Sequence, residues 1–221
     1  MVTLGQLTAT VSHELRNPLG TIQAAIFSID DSLEKNEPQQ ASRSLELAER
    51  SINRCVSIIE ELNSYARVKK MDISEASLDD WLKAIINEQI IPESVQVELD
   101  LSCDARVHFD QGKLQQVLTN LINNSVHALQ DERSNGSLLQ ISTRLLDSMY
   151  EIRVCDNGVG MPEVIKEKIF EPLFSTKGFG VGLGMVIVKN IIEQHHGNIH
   201  IGSKEGEGTI VTLLLPTSLS R

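Results

Sequence analysis

Two groups of residues have types and spacings suited to chemistry. The first lies in Val11–Leu19, which reads V-S-H-E-L-R-N-P-L. An imidazole such as His13 is largely neutral and nucleophilic near neutral pH, and an adjacent carboxylate, here Glu14, can fix its tautomer or take its proton. Successive helical residues diverge by about 100°, so Glu14 reaches the ring only by bending round it. Asn17, four residues on, shares the face of His13. The second group is spread over the C-terminal half. Asn120, Asn123, Asn124 and His127 fall on the outer side of a helical pattern, where Lys, Glu or Gln would stabilise better; three asparagines there suggest oxygen ligands for a hard cation. Asp156-Asn157-Gly158-Val159-Gly160 follows a strand pattern, and Gly178-Phe179-Gly180-Val181-Gly182-Leu183-Gly184 opens a helix. Glycines let a backbone approach a ligand, and N–H groups at a helix start suit phosphate. The run is no Rossmann or Walker loop, having neither a βαβ setting nor a Lys-Ser/Thr pair. Gly206-Glu207-Gly208-Thr209 reads equally well as a tight hairpin turn.

The elements that must carry these residues follow from periodicity. Leu4, Leu7, Val11, Leu15, Leu19, Ile22, Ile26, Ile29 and Leu33 recur every three or four positions, the apolar face of a helix running to about residue 35. His13 lies about 200° from both Val11 and Leu15, so it points away from that face. Pro18 deprives the carbonyl of Glu14 of its partner and predicts a kink. After the break at Glu34–Pro38, Leu45, Ala48, Ile52, Cys55, Ile59, Leu62 and Ala66 alternate in steps of three and four along a second helix, to about Lys70. Leu47, Val56 and Ile58 widen this stripe. One hairpin cannot cover two wide stripes, which predicts a homodimeric four-helix bundle through the N-terminal helices.

Lys69–Ser74 reads as a linker, which sets the domains at 1–71 and 72–221. Beyond it the pattern predicts a helix over 78–90, strands over 95–99 and 105–109, a helix capped by Asp110 to about Gln130, and a hairpin of 138–146 with 150–155. A helix over 183–195 and strands over 198–204 and 209–215 complete it. Strands interspersed with three helices make an α+β sandwich, the helices covering one face of a mixed sheet.

Bulk properties set limits. The 221 residues carry 41 % hydrophobic and 23 % charged side chains, a globular composition with room for two small domains. The net charge of −10, most of it in the second half, argues against nucleic acid. No run is long enough to span a membrane and no signal peptide opens the chain, so a cytoplasmic protein is expected, without membrane contact in this part. The first stripe begins beside Met1 with no cap before it, which reads as a helix continued upstream, the cytoplasmic end of something longer. Three cysteines at unmatched spacings fit a reducing compartment.

The string H-E-L-R-N-P closely resembles the H box of sensor histidine kinases. The later clusters, taken in order, are similar to the N, G1, F, G2 and G3 boxes of the same family, with Phe170-Glu171-Pro172-Leu173-Phe174-Ser175-Thr176-Lys177 as the F box. The resemblance spans essentially the whole chain. It implies a dimeric helical hairpin followed by the ATP-binding fold shared with gyrase, heat-shock chaperone and mismatch-repair ATPases. It implies ATP and Mg²⁺ as ligands and a response regulator receiver domain as partner. By the same resemblance His13 is the phospho-acceptor, Glu14 its base or orienter, and Asn17 the residue that aligns a water for dephosphorylating the regulator. Asn124 coordinates Mg²⁺ with Asn120 nearby. Asp156 bonds the adenine amine, Gly158 and Gly160 make room for the base, and Thr209 lines that pocket. Gly180, Gly182 and Gly184, with Leu183 among them, cradle phosphates, Lys177 meets the γ-phosphate, and Phe170 belongs to the lid. Two positions depart from the family pattern: His127 stands where many members carry Lys or Arg, and Val181 replaces the commoner threonine. The lid between Met161 and Gly180 is short, similar to the nitrogen-regulation type.

Two rival functions are weighed on residues. A gyrase-type ATPase needs a carboxylate on the nucleotide helix to activate water, and none occurs from Leu114 to Leu129. A phosphatase-biased or degenerate kinase that mainly docks its regulator is kept open by Asn17.

Overall fold

The structure is a computed structural model that describes residues 4–66, 70–134, 136–176 and 181–218. It divides into two units: one contains the two N-terminal helices together with Glu171–Gly184, and the other is built from the remaining residues.

In the first unit, helix α1 (Leu4–Glu34) and helix α2 (Pro38–Ala66) form an antiparallel hairpin. Asn36, at φ 57, turns the chain between them. Asparagine tolerates this left-handed backbone better than most residues, its short polar side chain being able to bond locally. Helix α1 runs on through Pro18. Lys70 lies beyond α2, and 67–69 fall outside the described residues.

Small residues make the seam between the helices. Ala25, Ser32, Ser44, Ala48 and Ser51 are buried along with Ile58, and the hydroxyls of Ser28 and Ser44 meet at 2.9 Å. The large apolar residues of the predicted stripes lie elsewhere: Leu19, Ile26, Leu33, Leu45, Ile52 and Ile59 are each about half exposed or more within one chain. The predicted buried face of α1 is thus only partly covered by α2. Small side chains let the two backbones approach, and several of the bulky ones, though not Ile58, are turned outward.

The second unit holds a five-stranded sheet and a two-stranded one. In the larger, the order is β2 (Gln96–Ser102), β4 (Leu138–Leu146), β5 (Met149–Asp156), β7 (Gly208–Pro216), β6 (Asn198–Lys204). β2 and β4 are parallel and every other neighbour pair is antiparallel, so the sheet is mixed. Burial alternates strictly along β5: Tyr150, Ile152, Val154 and Asp156 face inward. That face packs with the apolar sides of helices α3 (Leu78–Glu88), α4 (Gln111–Gln130) and α6 (Gly184–Gln194), which bury Leu82, Leu118, Ile122 and Ile192 among others. Ser77 caps α3 by accepting the N–H of Asp80, and Asp110 caps α4 by accepting that of Lys113.

Two elements escape the periodicity. Ile73–Ser77, read as linker and loop, is strand β1, paired antiparallel with β3 (Arg106–Asp110). Its five residues show no strong apolar alternation, and pairing with the distant β3 makes it a strand. A single helical turn, α5 (Glu163–Lys166), falls in the stretch read as loop.

A buried tie joins the start of α4 to the end of α6. His195 is fully buried; its Nε2 accepts the N–H of Asp110 at 3.1 Å, and Nδ1 lies 2.8 Å from the carbonyl of Ile191. Asp110 also accepts the N–H of Asp72 at 2.8 Å, which anchors the entry into this unit.

Candidate active site

One candidate cluster lies on α1. His13 points outward, with 69 % of its side chain exposed. Its Nδ1 lies 4.0 Å from Oε1 of Glu14, too long for a hydrogen bond but within reach of a small side-chain adjustment. Glu14 is largely covered and does bend toward the ring, while its other oxygen, Oε2, accepts Nη2 of Arg54 on α2 at 3.2 Å. Asn17 is exposed one turn on, its carbonyl accepting the hydroxyl of Thr21.

A separate cluster lies where α4, the end of β5 and the β6–β7 hairpin converge. Asp156 ends β5 and is buried. Its Oδ2 accepts the hydroxyl of Ser125 at 3.0 Å and its Oδ1 the N–H of Gly158 at 3.1 Å. Burial pushes its carboxyl above the usual range, against the opposing pull of the N–H of Gly158, the Ser125 hydroxyl and the N–H of Thr209. Thr209 pairs with Asp156 across β5 and β7, and its hydroxyl meets that of Ser203 at 2.9 Å.

The glycines of this turn are demanded by neighbouring backbone. A Cβ on Gly158 would come within 2.6 Å of the carbonyl of Ala128, and one on Gly160, at φ +63, within 2.0 Å of that of Lys204. The space they provide is filled first by protein, and any role toward a base comes on top of that.

Asn120 and Asn124 are half-buried on α4, whereas Asn123 and His127 are exposed. The amide nitrogen of Asn120 donates to the carbonyl of Gln116 at 2.9 Å, and that of Asn124 to Sδ of Met185 at 3.4 Å. In both, the amide nitrogen is bonded to protein. Among the described residues no group of three or more His, Cys, Asp and Glu could hold a metal. The donors therefore fit Mg²⁺, which is commonly held by one or two protein oxygens plus phosphates and water, and do not fit an all-protein cage.

Phe170 is half-buried, with Nζ of Lys189 over its ring, 5.5 Å from the centroid. Gly182 adopts φ +72, where a Cβ would lie 2.6 Å from the carbonyl of Phe174, and its own carbonyl accepts the N–H of Leu173. Leu183 is buried and Gly184 is the first residue of α6. Lys177 and Gly180 lie outside the described residues.

Against this geometry the comparisons with known proteins are direct. The family described as "Histidine kinase-, DNA gyrase B-, and HSP90-like ATPase" matches residues 109–219, and the "His Kinase A (phospho-acceptor) domain" matches residues 3–70. The chain belongs to the sensor histidine kinases. Sporulation kinase B of Bacillus subtilis (strain 168) is 32 % identical over 227 residues, covering 99 % of this chain and 51 % of its own. Sensor histidine kinase ZraS of Escherichia coli (strain K12) is 31 % identical over 230 residues, covering 100 % of this chain and 47 % of its own. The chain thus spans about half the length of the curated relatives it matches. Among solved structures, histidine kinase ThkA in complex with the response regulator protein TrrA aligns with a TM-score of 0.71 at 26 % identity, over 97 % of this chain and 62 % of that one.

Two residues of this histidine kinase core were not singled out from sequence. Ser125 continues the buried stripe of α4 from Leu118, Leu121 and Ile122, and a hydroxyl on such a stripe requires a partner, which proves to be Asp156. Ser203 accepts the N–H of Met161 at 2.9 Å and bonds the carbonyl of Gly208 at 3.0 Å, fastening the turn after Asp156 to the β6–β7 hairpin. No sequence signal marks Ser203, which lies on a strand among residues of no special pattern.

Proposed function

We propose that the chain is the catalytic core of a sensor kinase that phosphorylates its own His13 from ATP and passes the phosphoryl group to an aspartate of a receiver domain. The observation that carries this is the exposed His13 ring with a carboxylate oxygen 4.0 Å from Nδ1, on a helix matching the phospho-acceptor family, in the same chain as an ATPase-family domain.

The carboxylate on the Nδ1 side favours the tautomer with the proton there and leaves the Nε2 lone pair for attack. A bond forms from Nε2 to the γ-phosphorus as the bond from that phosphorus to its bridging oxygen breaks, releasing ADP; the ring becomes cationic and its Nδ1 proton shifts toward Glu14. Asp156 offers a buried acceptor to the adenine amine, and Gly182 and Gly184 bring backbone close to phosphate. Asn124, with Asn120 beside it, would hold Mg²⁺, which when bound neutralises phosphate charge. Since the chemistry is mainly positioning and charge neutralisation, the residues that fix geometry carry it.

Boundaries at 1–71 and 72–221 assign the acceptor hairpin and the ATP-binding domain. The outward apolar faces of α1 and α2 support pairing of two hairpins into a four-helix bundle. A receiver domain is the partner that takes the phosphoryl group, a reading supported by the complex of the relative ThkA with TrrA. Among the described residues no helix is long and apolar enough to cross a membrane, which accords with action in the cytoplasm. The exposure of Asn17 beside His13 supports a second activity, hydrolysis of the phosphorylated regulator, in which its amide aligns water.

Incubation with γ-labelled ATP and Mg²⁺ tests the primary reading. Acid-labile, base-stable label is expected on the wild-type chain and none on His13→Gln; label that survives the substitution would rule out this acceptor.

A further inference from the structure

The seam between α1 and α2 buries mainly small and apolar side chains, and an ion pair crosses it beside His13. Glu14 and Arg54 meet across it, 40 residues apart in sequence, with Nη2 of Arg54 3.2 Å from Oε2 of Glu14. Both are substantially covered, with 20 % of the Glu14 side chain and 30 % of the Arg54 side chain exposed.

As a bolt between helices this pair is a poor choice. Removing two charges from water is costly, and apolar side chains of similar volume at this level would hold the hairpin as well or better. The pair's geometry suits another task. A residue next to the histidine cannot face it squarely on a helix, so the Glu14 side chain has to be held in a bent posture, and its carboxylate has two equivalent oxygens. Arg54 occupies one and thereby turns the other, Oε1, to the Nδ1 side of His13, 4.0 Å away. The contact is a single charge-assisted bond, from Nη2 to Oε2, and it leaves Oε1 as the oxygen on the side of His13.

We infer that Arg54 is a positioning residue for phosphoryl transfer, holding Glu14 so that one carboxylate oxygen faces Nδ1 of His13 and Nε2 remains the attacking atom. This rests on the kinase reading above. Arg54 touches neither nucleotide nor imidazole; it acts through Glu14, and its effect must vanish when Glu14 can no longer serve.

That dependence is the test. Initial rates of His13 labelling from γ-labelled ATP and Mg²⁺ are measured on the whole chain for wild type, Arg54→Met, Arg54→Lys, Glu14→Gln and the Glu14→Gln/Arg54→Met double variant. Methionine keeps an unbranched stem in the seam, so the hairpin is retained. Arg54→Met is expected to lower the rate at saturating ATP about tenfold, the scale on which orienting partners of reactive groups act, with KM for ATP within about twofold. Arg54→Lys recovers part of the rate. The double variant is no slower than Glu14→Gln alone, because the two residues act as one unit. Nitrogen NMR of the His13 ring gives a readout that a structural bolt would not move: the tautomer with the proton on Nδ1 dominates in wild type and loses its excess in Arg54→Met. A wild-type rate in Arg54→Met, or losses that multiply in the double variant, would overturn the assignment while leaving the kinase reading intact. Absence of label on the wild-type chain would instead overturn the kinase reading itself.

Discussion

Ser125 donates its hydroxyl to Oδ2 of Asp156 at 3.0 Å, joining the middle of α4 to the end of β5. Burial raises the pKa of the Asp156 carboxyl, and the N–H of Gly158, this hydroxyl and the N–H of Thr209 oppose that rise. Ser125→Ala removes one of them. The expected cost is about 1 kcal/mol of stability and a several-fold weaker affinity for an ATP analogue, because the carboxyl proposed as acceptor for the adenine amine loses one of the donors that lower its pKa. Asp156→Ala strands all three donors and removes the acceptor, and nucleotide binding measured by calorimetry should fall by tenfold or more.

His195 ties stability to pH. In the neutral ring one nitrogen donates to the carbonyl of Ile191 and the other accepts from Asp110. A second proton would set N–H against N–H. Burial pushes its pKa below the ordinary 6.5, as do Lys113 and His196, against the raising influence of the Ile191 carbonyl and Asp110. The unfolded chain takes up the proton near the ordinary value and the folded one does not. The contribution of this group is therefore present above pH 6.5 and is lost as pH falls from there toward the folded pKa, with a limiting slope of about 1.4 kcal/mol per pH unit. Melting of the chain at about pH 7.5 and about pH 5.5 should show a drop that His195→Gln diminishes; an equal drop in the variant would assign the effect to other groups.

The acceptor hairpin turns bulky apolar side chains outward and keeps small ones inside. Ile52 and Ile59, each about half exposed and one heptad apart on α2, lie on the face expected to meet a second copy. Replacing both by Glu should convert the dimer to monomer in sedimentation experiments while nucleotide binding is unchanged, since the ATP-binding unit has its own core. A dimer that persists would move the interface to another face.

Thr143, fully buried on β4, donates to Oδ1 of Asp79 at 2.6 Å, and Oδ2 of Asp79 accepts the N–H of Asp104 at 3.0 Å. This couples the first turn of α3 to the sheet, away from Asp156. Thr143→Val leaves the Asp79 carboxylate one partner short in a buried setting, and a loss of about 1–3 kcal/mol is expected in denaturant unfolding, with affinity for nucleotide unaltered in the folded fraction.

Much of this was legible in the sequence, and for identifiable reasons. The outward placement of His13 follows from its angle to Val11 and Leu15, and the cap of α4 from Asp110 before an apolar repeat. Strands β4 to β7 were visible because one of their faces is buried, which enforces alternation. The hairpin seam was not legible, because periodicity finds where apolar residues recur and cannot tell which stripe meets the partner helix and which a second chain. That Ala25 and Ser44 rather than Leu19 and Leu45 are buried within one chain depends on how closely the backbones approach. β1 was missed because its pairing with β3 is set by tertiary structure. Arg54 was invisible as a partner of Glu14, since a pair 40 positions apart carries no local signal of an ion pair. Glycines 158 and 160 were read for a ligand, and the structure adds the carbonyls of Ala128 and Lys204 as the reason that side chains are excluded.

The central claim is that His13 and the nucleotide pocket serve one reaction. Phosphorus NMR of the wild-type chain after incubation with ATP and Mg²⁺, combined with peptide mapping, tests it most directly. The account predicts a phosphoramidate signal that maps to His13 and disappears when an unphosphorylated receiver domain is added. A folded chain that binds ATP but yields no phosphohistidine, or one whose phosphate maps to another residue, would contradict it.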